Sequence, residues 1–247
     1  GSANLCTSTL CYSGLRSAAV LAGEFGDSEL MKEYTKRADS LHEAINNYFA
    51  AEIHGFNTYK YYKENDVLRS WICMPLCVNI LERAKDTVAA LLSEYLMTEN
   101  GLLTAEGSVT VWDRSTLYGL KGIFAAGYTG LATKALMKYS ENRLLGERVP
   151  YAVEAYPEGG RRHLSGESAL YCKIFNEGIL SILPAGLNSF TLMPTLPDGL
   201  DHFYMRNIKA YGGIFDVLLE KDDYRVVRSN GDVLLTSAYG ERQTVTI

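Results

Sequence analysis

The residues most able to do chemistry are gathered in one stretch, Val149-Pro-Tyr-Ala-Val-Glu-Ala-Tyr-Pro-Glu-Gly-Gly-Arg-Arg-His-Leu-Ser-Gly-Glu, residues 149–167, which combines prolines, glycines, two tyrosines and three carboxylates. Glu154 lies between Tyr151 and Tyr156, in surroundings too apolar for a solvated surface run. A carboxylate partly withdrawn from water beside aromatic faces has its pKa raised toward the range useful to a general base. Two readings are open for it at this point: a catalytic base, or an acid that caps a helix or pairs with Arg161 or Arg162. His163 is read either as a satisfied structural group or as a substrate contact. Glu167 is read as a substrate contact or as an acid favouring the start of the last long helix.

A second cluster, Val111-Trp-Asp-Arg-Ser-Thr-Leu-Tyr, opens another helix. Ser115 suits a cap and Asp113 suits the first turn. Capping leaves Trp112 and Arg114 unexplained, and together they suit sugar recognition, the aromatic face stacking on pyranose C–H groups while Arg or Asp grips hydroxyls. A third set, Tyr61-Tyr-Lys-Glu-Asn with Arg69-Ser-Trp, brings Glu64, Arg69 and Trp71 into consideration, with loop packing an equally good account. No Ser-His-Asp or Cys-His nucleophile pattern, phosphate loop or metal-ligand spacing is present, so no cofactor or metal is expected.

These residues need elements to hold them. Residues 1 to about 183 carry helical spacing, while about 187 to 247 read as short β-rich pieces separated by Pro-Asp-Gly, Gly-Gly and Asn-Gly-Asp turns. The expected division is an α-helical segment over 1–185 and an antiparallel β appendage over 186–247. In the helical part, segments end near Tyr48, Tyr95 and Tyr139, spaced 47 and 44 residues apart, within the period of helical-hairpin arrays. The first pair runs from Leu5 to Phe25, stops at Gly26-Asp27, and resumes with Leu30, Tyr34, Ala38, Leu41 and Ile45 on one stripe. Further helices are expected at about 67–97 with a break near Pro75 or Arg83, and at 115–126, 130–143 and 166–182. Glu64, Glu106 and Glu154 fall in the loops that follow the three tyrosine-marked ends, where binding groups commonly sit on a rigid scaffold.

The composition is that of an ordinary globular chain: 247 residues, 47% hydrophobic and 21% charged, with a net charge of −5. Scattered basic residues argue against nucleic acid. No apolar run approaches the ~20 residues of a membrane span. The five cysteines, Cys6, Cys11, Cys73, Cys77 and Cys172, are an odd set, and Cys73 and Cys77, one helical turn apart, read as buried thiols. Gly1-Ser2 is read as an expression remnant with no leader behind it, so the compartment, periplasmic, secreted or cytoplasmic, stays open.

With these residues in view, the chain resembles the (α/α)6 glycosidases, which include trehalases, processing α-glucosidases and α-L-rhamnosidases. Asn4-Leu running to Gly26-Asp27, then Ala38, Ala44-Ile45 and Phe49, is similar to the stretch where "D-L-N" starts an inner helix and "G-D" ends it. Tyr59 to Tyr62 stands where those enzymes have "Y-x-D-Y". Trp112-Asp113-Arg114 is similar to "W-R-G", with Asp inserted and Gly absent. Pro150-Tyr-Ala-Val-Glu-Ala-Tyr-Pro resembles "P-Y-V-x-E-x-Y". In the rhamnosidases, Leu103-Thr-Ala-Glu-Gly-Ser is similar to "T-T-G-F-x-G-T", Val153-Glu154 to "T-I-W-E", and the tail from Phe190 to Gly199 with Gly212-Gly-Ile-Phe-Asp-Val to the small C-terminal β domain.

The resemblance implies a partial toroid of helical hairpins followed by a small antiparallel β domain. It implies an exo-acting, inverting glycoside hydrolase in which Glu154 is the water-activating base, with Asp113, Glu64 or a missing segment as the acid. Trp112, Arg114, Tyr151, Tyr156, His163, Glu167, Arg69 and Trp71 would line a carbohydrate site. Two alternatives stand beside it: a non-catalytic glycan-binding or assembly fragment, and a phosphorylase using Arg161 and Arg162 for an anion. An open half-ring leaves apolar helix faces that a second copy or a missing barrel half would cover.

Overall fold

The computed structural model describes residues 3–145, 152–159 and 165–247. The chain begins with a long antiparallel helix pair, α1 (Leu5–Glu24) and α2 (Ser28–Tyr48). Both starts are capped as their sequences dictate. The Asn4 side chain accepts from the Thr7 N–H at 3.2 Å, and Asp27 accepts from the Leu30 N–H at 2.9 Å. Gly26, at φ 78°, makes the tight turn between them. The pair buries a narrow stripe that includes Leu5, Ala19, Ala38 and Ile45.

A hairpin of β1 (Ala50–Ile53) and β2 (Phe56–Tyr59) follows. Next come a 3-10 turn at Ser70–Cys73, the four-residue α3 (Met74–Cys77) and α4 (Ala84–Leu91). The short pairs β3 (Met97–Thr98) with β4 (Gly101–Leu102), and β5 (Val111–Trp112) with β6 (Ala155–Tyr156), interrupt the remaining helices. Those helices are α5 (Asp113–Ala125), α6 (Thr129–Arg143) and α7 (Ser165–Lys173), the last running into a π-helical turn, Ile174–Ile179. Helix α5 lies at the centre, packed on α3, α6, α7 and both turns. Gly122 lets it approach closely, since a Cβ there would stand 2.9 Å from Leu76 Cβ and 3.1 Å from the Cys73 carbonyl.

From Leu183 on, the chain is β-structured. Strands β7 (Leu183–Pro184), β8 (Ser189–Leu192) and β13 (Gln243–Thr246) form one sheet, ordered β13-β8-β7. Strands β9 (Phe203–Ala210), β10 (Gly213–Leu219), β11 (Asp223–Arg228) and β12 (Val233–Ala238) form a four-stranded antiparallel sheet, ordered β12-β11-β10-β9. Phe215, Val217 and Leu219 alternate inward on β10, as the period-two pattern requires, and Phe190 stacks on Phe215 with ring centroids 4.9 Å apart. One buried cluster runs continuously from Leu5 to Val245.

This architecture corrects the expected toroid of helical hairpins. Among the described residues helices hold 43% and strands 24%, in five small sheets, so the helices do not close on one another as repeated pairs. The reason is local. Where the tyrosine spacing predicts a second hairpin over 67–97, Pro75 lies in the first turn of a helix only four residues long, and the positive φ of Asn79 (62°) turns the chain away before α4. Tyr48 closes α2, Tyr95 lies in the turn after α4, and Tyr139 is buried inside α6, so the three tyrosines do not mark equivalent ends.

Two outcomes test this packing. Gly101, at φ 124°, sits where a Cβ would meet Thr116 Oγ1 at 2.6 Å, whereas Gly14 lies within α1 with nothing near it. Urea denaturation should show Gly101→Ala destabilised by about 2 kcal/mol and Gly14→Ala stabilised by about 1 kcal/mol. The thiols should also divide by burial. Cys11 and Cys172 are exposed, while burial pushes Cys6 up to about 12 and raises Cys73 well above the ordinary thiol value. A disulfide reagent at pH 8 should therefore titrate Cys11 and Cys172 rapidly, and Cys6 and Cys73 only as the chain unfolds.

Candidate functional site

The starts of four helical elements converge at one end of α5. The Leu5 N–H donates to the Tyr61 carbonyl at 2.9 Å, fixing the first turn of α1 beside the loop that carries Tyr61 and Tyr62. Asn65, almost fully buried, holds that loop by accepting from the Tyr61 N–H and donating to the Val67 carbonyl. Four segments then lie side by side. Arg69 bridges to Ala105, Leu103 bridges to Val111, and Val111 and Trp112 pair with Tyr156 and Ala155. The mouth is lined by Trp71 and Trp112, both half-buried and packed edge to face with centroids 5.5 Å apart.

Glu154 enters through its backbone. Its carbonyl accepts from the Asp113 N–H at 3.1 Å, directly across from the first residue of α5 and one residue along from Trp112, and its side chain is half-buried. Trp112 is held from the other side by Thr116, whose hydroxyl donates to the Trp112 carbonyl at 2.9 Å and accepts from the Leu102 N–H at 2.8 Å.

Two guanidinium–carboxylate pairs support the mouth, one buried beneath it and one at its rim. Arg143 and Asp113 are 1% and 0% exposed, and one Arg143 nitrogen reaches both Asp113 oxygens, at 3.1 and 3.2 Å. The same nitrogen donates to the Ala155 carbonyl at 3.4 Å, the guanidinium faces the Tyr156 ring at 5.0 Å, and Glu158 stands 3.7 Å away. Burial raises the Asp113 pKa, and the Arg143 charge offsets only part of that. Asp113 thus holds its proton more readily in the folded chain than in the unfolded one. That contribution is complete below the ordinary carboxylate value and declines as pH rises through the raised one. In the second pair Arg114 Nε donates to Glu167 Oε1 at 2.8 Å, joining the first turns of α5 and α7. Glu167 is fully buried, and its Oε2 has no hydrogen-bond partner among the described residues.

The expected site residues therefore divide. Trp71, Trp112, Arg114, Glu167 and the backbone of Glu154 meet at the mouth, with Tyr156 behind it over Arg143. Asp113 lies under the mouth, locked to Arg143, and Glu64 is exposed on the loop before the 3-10 turn. Tyr151, His163, Arg161 and Arg162 lie outside the described residues. One group escaped the sequence reading, and another, already placed on a candidate loop, has a part in the fold that the sequence does not give. Arg143 has no local signal, since it is one more basic residue ending a helix. Glu106 is a clamp, both its oxygens lying within 2.9 Å of His54 Nε2 while Oε2 accepts from the Leu68 N–H at 3.2 Å.

The concavities away from the mouth include a cavity of about 390 Å³ bounded by Met97, Gly101, Leu120, Leu131 and Tyr139, and a groove of about 600 Å³ between α1 and residues 182–187. Among the described residues no three His, Cys, Asp or Glu side chains are grouped to hold a metal ion, and no helix is long and apolar enough to cross a membrane.

No family model matches the chain, and no curated protein matches it in sequence. Among solved structures 36 chains match. One, described as "Sialidase", is 17% identical, with a TM-score of 0.74 over 98% of this chain and 26% of its own. At that identity the likeness shows a shared fold, and the chain spans about a quarter of that structure's length.

The buried pairs make a direct forecast. Arg143→Met or Asp113→Leu alone strands one buried charge and should lower stability by about 3 to 5 kcal/mol, whereas the double replacement should recover most of that loss. Chemical denaturation of the two single variants and the double decides it.

Proposed function

We infer that this chain supplies the sugar-binding and water-activating part of a glycoside hydrolase. The observation that supports the reading is the Asp113 N–H to Glu154 carbonyl bond, which sets the backbone of the half-buried Glu154 next to Trp112 at the start of α5. A pyranose face rests on one of the two indole rings with the other, nearly perpendicular, at its edge, Arg114 reaches its hydroxyls from the anchor that Glu167 provides, and Glu154 takes a proton from the attacking water. The water oxygen bonds to the anomeric carbon as the glycosidic oxygen leaves with a proton from a second carboxyl group. In the inverting course the two carboxyl groups stand roughly 6.5 to 9.5 Å apart. Asp113 and Glu167 are each engaged by an arginine, so the acid is assigned to neither. The fold shared with a structure described as a sialidase, itself a glycosidase, is consistent with this class of reaction.

The same engagement of both buried carboxylates favours a second reading, a glycan-binding module without turnover. Oligosaccharide titration of the wild-type chain, with product analysis, separates the two, since affinity without product is the signature of the second.

In the longest protein that carries this sequence, Glu154→Gln should lower kcat on a hydrolysed glycoside by about 10³-fold while KM and folding stay close to wild type. Retention of activity within about tenfold removes Glu154 from the role of base.

A further inference from the structure

Arg69 is placed unlike the other arginines at this end of the fold. Arg143 is bound to Asp113 and Arg114 to Glu167, but Arg69 has no carboxylate partner among the described residues, and its buried Nε has no hydrogen-bond partner among them. Its position is nonetheless fixed. The backbone is extended (φ −128°, ψ 143°) and bridged to Ala105, and the guanidinium carbon lies 5.8 Å from the centroids of both Tyr61 and Tyr62, whose rings are inclined at 69°. Two aromatic faces hold a cation in place without neutralising it. Glu106, next to its bridge partner, has both oxygens committed to His54 and one also to the Leu68 N–H. Glu64, on the adjoining loop, is exposed to solvent.

A positioned guanidinium without a carboxylate partner among the described residues, next to a sugar-stacking mouth, is a recognition element for an anion. Its chemistry selects the kind. The rigid planar fork matches a planar acceptor through paired N–H donors, and one fixed positive charge balances a monoanion, whereas a phosphate dianion calls for further donors. Trp71 follows two residues on, a separation of backbone comparable with the breadth of one pyranose ring. We propose that the sugar accepted at this mouth carries a carboxylate, as a uronic acid does, and that Arg69 receives it while the ring lies between the perpendicular indoles of Trp71 and Trp112, face against one and edge against the other. This rests on the mouth being a sugar site, as the proposed function holds.

Binding reads the inference independently of turnover. Matched monosaccharides, glucuronate with glucose and galacturonate with galactose, are titrated into the wild-type chain by calorimetry or ligand-observed NMR, with inorganic phosphate as a competitor. At least one acid should bind ten or more times tighter than its neutral partner. Arg69→Gln should reduce that ratio to within about twofold, and Arg69→Lys, which keeps the charge but loses the fork, should fall between. Equal binding of acid and neutral sugar, an unchanged ratio in Arg69→Gln, displacement by phosphate at the concentration of the uronate, or no binding of any member overturns the proposal. Should uronate bind through Arg69 while neither wild type nor the longer protein turns over any glycoside, the hydrolase reading fails and the carboxylate assignment stands.

Discussion

The structure depends on a buried charge placed at the start of its central helix. Asp113 is withdrawn from water at the first residue of α5, where Arg143, from the far end of α6, meets it with Tyr139 beside the pair. Two ions in that position are costly to desolvate, so their value lies less in net stabilisation than in where they force other groups to be. Arg143 also binds the Ala155 carbonyl and covers Tyr156, which fixes β6 against β5. Once β6 is fixed, Glu154 stands opposite Asp113 and Trp112 stands at the rim. A displacement of this pair therefore moves the whole candidate site at once.

Around that anchor the mouth is assembled from sequence-distant loops by short-range bonds. Tyr61 is tied to α1, Glu106 ties residues 54, 68 and 106 together, and Thr116 ties β4 to Trp112. Each tie satisfies a backbone donor or acceptor that would otherwise be stranded where the loops meet, so the same bonds that make the loops foldable also set the position of the aromatic rings.

Much of this was legible in the residues. Asn4 and Asp27 announced their helices through cap chemistry, and the alternation in β10 and the glycine-bearing turns announced the strands. The positions of the helices near 113–125, 129–143 and 165–179 followed from their apolar spacing. The arrangement of those helices did not follow, because a repeat of tyrosines at hairpin-like intervals carries no information about whether the intervening helices are long enough to pair. The short α3 and the four interleaved segments at 69, 103–105, 111–112 and 155–156 are held by bonds between distant residues, and no local pattern encodes them. The partner of Asp113 was out of reach of the sequence for a related reason. As a helix-opening acid Asp113 fits solvent, a substrate or a buried cation equally well, and only the position of Arg143 thirty residues later decides among them.

The π-helical turn at Ile174–Ile179 sets a phase relation between the two ends of its segment. Its wide backbone turn lets Ile174 and Ile179, five residues apart, both be buried, at 0% and 3% exposure, while Glu167 upstream remains aligned with Arg114. Regular α-helical winding across the same residues would rotate one end against the other by about 100° for the single residue absorbed there. The segment is thereby intolerant of a length change that an ordinary helix end would accommodate by fraying. One residue gained or lost beyond Lys173 would dial Glu167 away from the site or lift an isoleucine out of the core.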